Sequence, residues 1–255
     1  EGPERSGARL FSRALDRQLP QRQADFELAA TGVDETRHNF FVWADVQVYN
    51  ESELEYVKQA AGDAAEYASA SGLPSFGISC GDIAGNWSSG LLPKVHQTCA
   101  EAGFPFFALM GNHDYRNDAT TNEESKSLYQ STFGPTWYSF DKGRIHYVVL
   151  DDVFYFVRRY LGYLPKHQLD WLKADLADVP QGSTVVVFMH IPTYSPAARR
   201  GDFKSEEYKK ILTNRDALYE VLKPYNAHIC TAHEHYAENF CLADNLMEHV
   251  HAPLS

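Results

Sequence analysis

Five apolar runs in this chain each end on a short polar motif. Phe40-Phe41-Val42-Trp43-Ala44 leads into Asp45-Val46-Gln47, and Ser75 to Cys80 leads into Gly81-Asp82. Pro105 to Met110 leads into Gly111-Asn112-His113-Asp114, Val185 to Met189 into His190, and Ala227 to Thr231 into Ala232-His233-Glu234-His235. Runs this short and this apolar read as strands buried on both faces, the habit of parallel sheets. Side chains placed just after such strands collect on one rim of the sheet. Mixed oxygen and imidazole donors are the set that holds hard or borderline divalent cations.

The segments between the runs support that architecture. Ser52 to Ala70 carries Leu54, Val57, Ala61 and Ala65 at helical spacing, and Leu91 to Ala102 is a second helix. This strand–helix repeat predicts right-handed crossovers and a parallel sheet. The middle of the chain changes character: Thr136 to Phe140 and Arg144 to Leu150 flank Asp141-Lys142-Gly143 as a hairpin. A helix over Leu164–Leu176, a strand over Ser183–Met189, a helix near Asp216–Leu222 and a strand over Ala227–Thr231 follow. Two packed sheets sheathed by helices satisfy this order. Nothing after Thr231 is assigned, and Leu254-Ser255 carries no obvious terminating element. Residues 1–37 read as an N-terminal extension, polar over its first 24 residues with a short edge strand possible at Asp25–Thr31, and residues 38–255 as one catalytic-type domain.

The formal net charge is -11. A surface that acidic repels a phosphate backbone, so nucleic acid is not an expected partner. A small anionic substrate is still acceptable, because a bound cation dominates its local field. Cys80, Cys99, Cys230 and Cys241 show no C-x-x-C spacing, which argues against a thiolate zinc site or a disulfide framework. No apolar stretch reaches the roughly 18 residues of a membrane span. The chain begins at Glu1, so a removed leader, and with it the compartment, stays open.

Asp45, Gln47, Asp82, Asn112, His190, His233 and His235 are too many ligands for one tetrahedral ion. They suit two cations about 3.5–4 Å apart that share a carboxylate. Alternatives remain for each residue taken singly: Asp45 and Asp82 could cap helices, and Gly111 to Asp114 could be only a turn. Arg116 and Tyr194 are candidate substrate contacts, although exposed structural roles are the commoner fate of such residues. The stretches 114–132, 153–163 and 193–210 read as loops, the last with basic residues from Arg199 to Lys210 that would border a cleft.

The ordered series resembles the calcineurin-like metallophosphoesterases, whose usual pattern is D-x-H, G-D-x-x-D, G-N-H-[DE], a lone H, then G-H-x-H. Phe133-Gly134-Pro135, Val149-Leu150-Asp151 and Gln168 to Leu172 are similar to the middle of that family. The resemblance implies a four-layer α/β/β/α sandwich of two mixed sheets flanked by helices. It implies two divalent metals, with Mn, Fe, Zn and Mg all open, acting on a small phosphoester. Asp45, Gln47, Asp82 and His235 would hold the first metal. Asp82, Asn112, His190 and His233 would hold the second. A bridging hydroxide would attack phosphorus in line, and His113 would be the general acid.

Three positions depart from the pattern. Gln47 replaces the usual His and offers a hard carbonyl oxygen, which tilts the first site toward manganese, magnesium or iron. Branches that cleave nucleotide-diphosphate or lipid-linked phosphodiesters are similar in this D-x-Q form, so a phosphodiesterase or pyrophosphatase is an alternative. Gly85 replaces the second Asp of G-D-x-x-D, leaving Asp114 as the candidate to orient His113. Ala232 replaces Gly, at little cost unless that backbone needs positive φ. A non-catalytic metal-binding scaffold is the alternative from a different class.

Overall fold

The computed structural model describes residues 32–85, 90–194 and 207–254. Strands β1 (Asn39–Trp43), β2 (Ser75–Ser79) and β3 (Phe106–Ala108) form a parallel sheet in the order β1-β2-β3. A second sheet has six strands in the order β10-β11-β9-β8-β5-β4. These are β4 (Tyr138–Lys142), β5 (Ile145–Val149), β8 (Thr184–Phe188), β9 (Asn226–Thr231), β10 (Glu238–Ala243) and β11 (Leu246–Val250). Its central pairs are parallel and its two outer pairs antiparallel, a mixed sheet as expected, while the described strands of the first sheet are all parallel. A small hairpin of β6 (Val153–Phe156) and β7 (Arg159–Gly162) stands apart.

The two sheets face each other across a dry layer. Phe76, Ile78, Cys80 and Leu109 from the first sheet meet Phe140, Tyr147, Val149, Val186, Phe188 and Cys230 from the second. Aromatic rings fill the interval: Phe107 stacks on Phe140 at 4.5 Å, and Phe76 meets Tyr147 edge-on at 5.1 Å. The period-2 alternation of β8 explains how one strand serves two layers. Val186 and Phe188 point between the sheets, while Val185 and Val187 point to the outer helices. There they meet Leu172 and Leu176 of α5 (Lys166–Leu176) and Leu218 and Leu222 of α6 (Arg215–Leu222).

The first sheet is covered by α1 (Leu54–Ser71) and α2 (Leu92–Ala100), through Val57, Ala61, Ala64, Leu92 and Val95. The small residues of α1 let its backbone lie close to the sheet. α1 ends at Gly72, whose left-handed φ of 63° lets its N–H close on Ala68 and Ser69. The layers are therefore α/β/β/α. The stretch 114–132 contains two short helices, α3 (Asn122–Ser125) and α4 (Ser127–Phe133).

The C-terminal stretch does have structure. β10 and β11 complete the second sheet, and Leu254 donates its N–H to Ala44 at 2.9 Å, beside an Ala44–Pro253 bridge. Glu35 is fastened to the domain: its carbonyl accepts from His38 and its carboxylate pairs with Lys142. The edge strand expected at 25–31 lies outside the described residues. No described helix is long and apolar enough to cross a membrane.

His146 on β5 does more than pack. It is 8% exposed and lies between Asp141 at 2.8 Å and Asp175 at 3.0 Å. Burial alone would lower its pKa, but the hydrogen bonds and charges of the two carboxylates win and raise it from 6.5 to about 9. A raised folded-state pKa stabilises fully below the unfolded value and fades as pH rises through the folded one. After discounting for the exposed Asp141, the contribution is on the order of 1–2 kcal/mol. Urea unfolding of wild type and His146→Leu should thus differ by that amount at pH 6, with the gap closing by pH 10. A gap independent of pH would contradict it.

Candidate metal centre

All five motif-bearing loops leave the C-terminal ends of β1, β2, β3, β8 and β9, and they meet. Their backbones are held in costly conformations. Seven non-glycine residues among those described have positive φ, and five of them are Asp45 (42°), Gln47 (44°), Asp82 (50°), His233 (70°) and His235 (55°). Each such residue costs about 1–3 kcal/mol, which persists only where surrounding contacts overdetermine it. Ala232 is not among them, so its methyl group costs nothing of that kind.

The contacts that hold the loops are mostly buried carboxylates receiving backbone N–H groups. Asp114 accepts from Ile83 (2.9 Å), Ala84 (3.2 Å) and Gly111 (2.8 Å). It ties the Asp82 loop to the Asn112 loop. Both of its oxygens accept from backbone amides. Asp152 does the same for the His190 loop, accepting from His190 at 3.1 Å and Ile191 at 2.8 Å. Glu248 accepts from the backbone of Thr193 and Tyr194 and from the Thr193 hydroxyl. Burial pushes all three carboxyls up to about 7. At Gly111 an added Cβ would lie 2.0 Å from Asp82 N and 2.2 Å from Asp82 Oδ1, so the loops touch through a position only glycine can fill.

On this frame Asp82, His190 and His233 bring ligand atoms within 4.8 Å of one another. His190 Nδ1 lies 2.8 Å from the Cys80 carbonyl, and His233 Nε2 lies 2.9 Å from the Lys209 carbonyl. A carbonyl only accepts, so these two nitrogens carry the protons. The other nitrogens then face inward. His190 Nε2 is 3.0 Å from Asn112 Oδ1, 3.2 Å from His233 Nδ1 and 3.4 Å from Asp82 Oδ1. If the Asn112 amide presents its NH2 instead, the carboxylate and the two imidazoles still converge as acceptors. Such a cluster needs a cation or a proton. Burial lowers the pKa of His190, but Asp82 first, then Asp45 and Asp152, overcome it and raise it to about 10. Burial and the nearby His190 charge hold His233 down at about 3, so it keeps its lone pair.

The second oxygen of Asp82 looks the other way. Oδ2 lies 3.3 Å from the Gln47 amide and 3.9 Å from His113 Nε2. Nearby, Asp45 Oδ2 accepts from His233 N–H at 2.9 Å, while Oδ1 is buried with no hydrogen-bond partner and sits 3.7 Å from His235 Nε2. Burial raises Asp45 to about 7, partly offset by His190 and reinforced by Asp82. An orphaned buried carboxylate oxygen is costly unless something positive meets it. Two donor sets therefore share Asp82, one oxygen each. The residues fit two cations.

The structure also accounts for Gly85. An added Cβ there would sit 2.5 Å from the Tyr49 ring, so the aromatic ring fills the space beside this loop. The Tyr49 hydroxyl lies 3.5 Å from Gln47 Oε1. Arg116 and Tyr194, the two candidate substrate contacts, each have a protein partner. The Arg116 guanidinium forks onto Asp118 at 3.0–3.1 Å, and the Tyr194 ring packs edge-on to Phe240 at 4.8 Å. Arg199 and Arg200 lie outside the described residues.

The model of the Calcineurin-like phosphoesterase family matches residues 45–237. This chain belongs to that family. It is a metallophosphoesterase, and metal-dependent hydrolysis of phosphoesters is the activity that membership carries. The fold is similar to a dimetal phosphatase from Danio rerio, at 16% identity and a TM-score of 0.59, over 84% of this chain and 87% of that one. It is also similar to phosphopantetheinyl hydrolase from Mycobacterium tuberculosis, at 8% identity and a TM-score of 0.54, over 86% and 91%. No curated protein matches the sequence.

In this phosphoesterase Asp114 is a structural tie. Asp114→Ala leaves three buried N–H groups unpaired and should lower unfolding free energy by roughly 2–4 kcal/mol in urea titration. A loss under about 0.5 kcal/mol would show that the tie is dispensable.

Proposed function

We propose that this phosphoesterase hydrolyses a small phosphoester at the Asp82 cluster. Asp45, Gln47, Asp82 and His235 would hold one divalent cation, and Asp82, Asn112, His190 and His233 the other. The observation that carries this is the division of Asp82, with Oδ1 toward His190 and Oδ2 toward Gln47. When bound, the cations supply Lewis acidity and bring the pKa of water toward neutrality.

The chain's own groups supply the rest. Two cations against Asp45 and Asp82 leave a local charge of about +2, which draws a phosphate in despite the acidic surface. That same surface disfavours a nucleic-acid backbone. His113 is the general acid. Its backbone N–H donates to Asp82 Oδ1 at 2.7 Å, and its side chain, 26% exposed, brings Nε2 to 3.9 Å from Asp82 Oδ2, within reach of a departing alcohol. Gln47 can present its carbonyl to the cation with its NH2 toward Tyr49, giving an oxygen-rich first set suited to manganese, magnesium or iron. The same glutamine supports a second reading, a phosphodiester or pyrophosphate of the nucleotide-diphosphate or lipid-linked kind as substrate. The catalytic unit is residues 38–255, with 1–37 an extension.

His113→Ala should retain both metals by elemental analysis and lose at least about tenfold in turnover on esters of alkyl alcohols. An aryl ester, whose leaving group needs no proton, should suffer less. Equal turnover of alkyl esters by variant and wild type would remove His113 from the mechanism.

A further inference from the structure

His233 is held from behind by a segment that is itself fastened to the β6–β7 hairpin. The Lys209 carbonyl meets His233 Nε2 at 2.9 Å. Three residues on, Leu212 bridges to Gly162 of β7, and Thr213 donates both N–H (2.8 Å) and hydroxyl (2.7 Å) to the Gly162 carbonyl. Leu212 N–H also reaches Pro192 O at 2.8 Å, joining the same segment to the His190 loop. Asn214 closes the far end by donating to Leu164 O at 2.8 Å. The approach is tight: a Cβ on Gly162 would lie 2.6 Å from the Ile211 carbonyl. From the hairpin itself, the Tyr160 ring meets the His233 ring edge-on with centroids 6.1 Å apart, and Lys209 Nζ lies 5.8 Å over that same tyrosine.

We propose that the β6–β7 hairpin positions His233: Tyr160 and Gly162 fix segment 207–213 so that the Lys209 carbonyl selects the Nε2–H tautomer and leaves Nδ1 for the metal. The proposal rests on His233 being a ligand of the second cation. Its physical basis is that a metal-binding imidazole needs its other nitrogen held by a fixed acceptor, and loss of such a partner typically costs 10–100-fold in affinity. Tyr160 and Gly162 are positioning residues, remote in sequence from every ligand. His235, one turn of chain away and exposed, has no such brace among the described residues, so disturbing the hairpin should leave the first cation's site alone.

Nitrogen chemical shifts of 15N-histidine-labelled, metal-free protein read the tautomer directly, and calorimetric titration with Mn2+ reads the two affinities. In wild type, His233 should be Nε2–H. In Gly162→Ala and Tyr160→Ala the tautomer should become mixed, with the weaker-bound or stronger-bound class assigned to His233 losing about 10–100-fold and the other unchanged. His233→Ala identifies which class that is. Tyr160→Phe, which keeps the ring, should restore both readouts. Should Gly162→Ala fail to fold, Tyr160→Ala and Thr213→Val carry the same test. An Nδ1–H His233 in wild type, or variants that weaken both classes equally or neither, would overturn the proposal. A wild-type chain that binds no Mn2+ would count against the metal centre itself, while the tautomer would still decide the brace.

Discussion

Asp82 Oδ1, His190 Nε2 and His233 Nδ1 face one another inside a protein rim with no donor among them in the neutral tautomers. Burial makes that arrangement expensive, because lone pairs repel more strongly where water cannot screen them. Much of the surrounding structure works to hold it. Two carbonyls, Cys80 and Lys209, set the imidazoles. Three buried carboxylates, Asp114, Asp152 and Glu248, collect backbone N–H groups from the loops that carry the ligands. Five left-handed backbones aim the side chains. Under the proposed function, this frame keeps acceptors together for the cations they would hold.

The fold makes this affordable by bringing the loops out of one rim. The loops after five strands from two sheets meet, and the apolar layer of Phe76, Phe107, Phe140, Tyr147 and Phe188 packs the sheets against each other. Rigidity in that layer transmits to the ligands through very short connections: Asp45 lies two residues after Trp43, and His190 two after Phe188.

The α/β alternation was legible because long apolar runs leave strong marks in a sequence, and the polar motifs after them marked the loops that bring Asp82, His190 and His233 together. The β6–β7 hairpin was not, since its turn is Val157-Arg158, both at positive φ, where Asn-Gly would have announced it. The outer β10–β11 pair escaped for a similar reason: Glu238, Asn239 and Cys241 on its outer strand are partly or fully exposed and carry little apolar signal. The tie that Asp114 makes left no mark in the sequence because its partners are backbone amides, which every residue has. The braces on His190 and His233 are carbonyl groups and were invisible for the same reason. Gly85 looked like a lost carboxylate; only the fold shows Tyr49 against it.

Under the proposed function Asp82 serves two cations at once. Anomalous scattering collected at metal absorption edges, from crystals grown without added metal, tests it most directly. Two peaks about 3.5–4 Å apart, one on each side of the Asp82 carboxylate, are the predicted result. A single peak, or none between Asp82, His190 and His233, would mean that Asp82 does not bridge two cations.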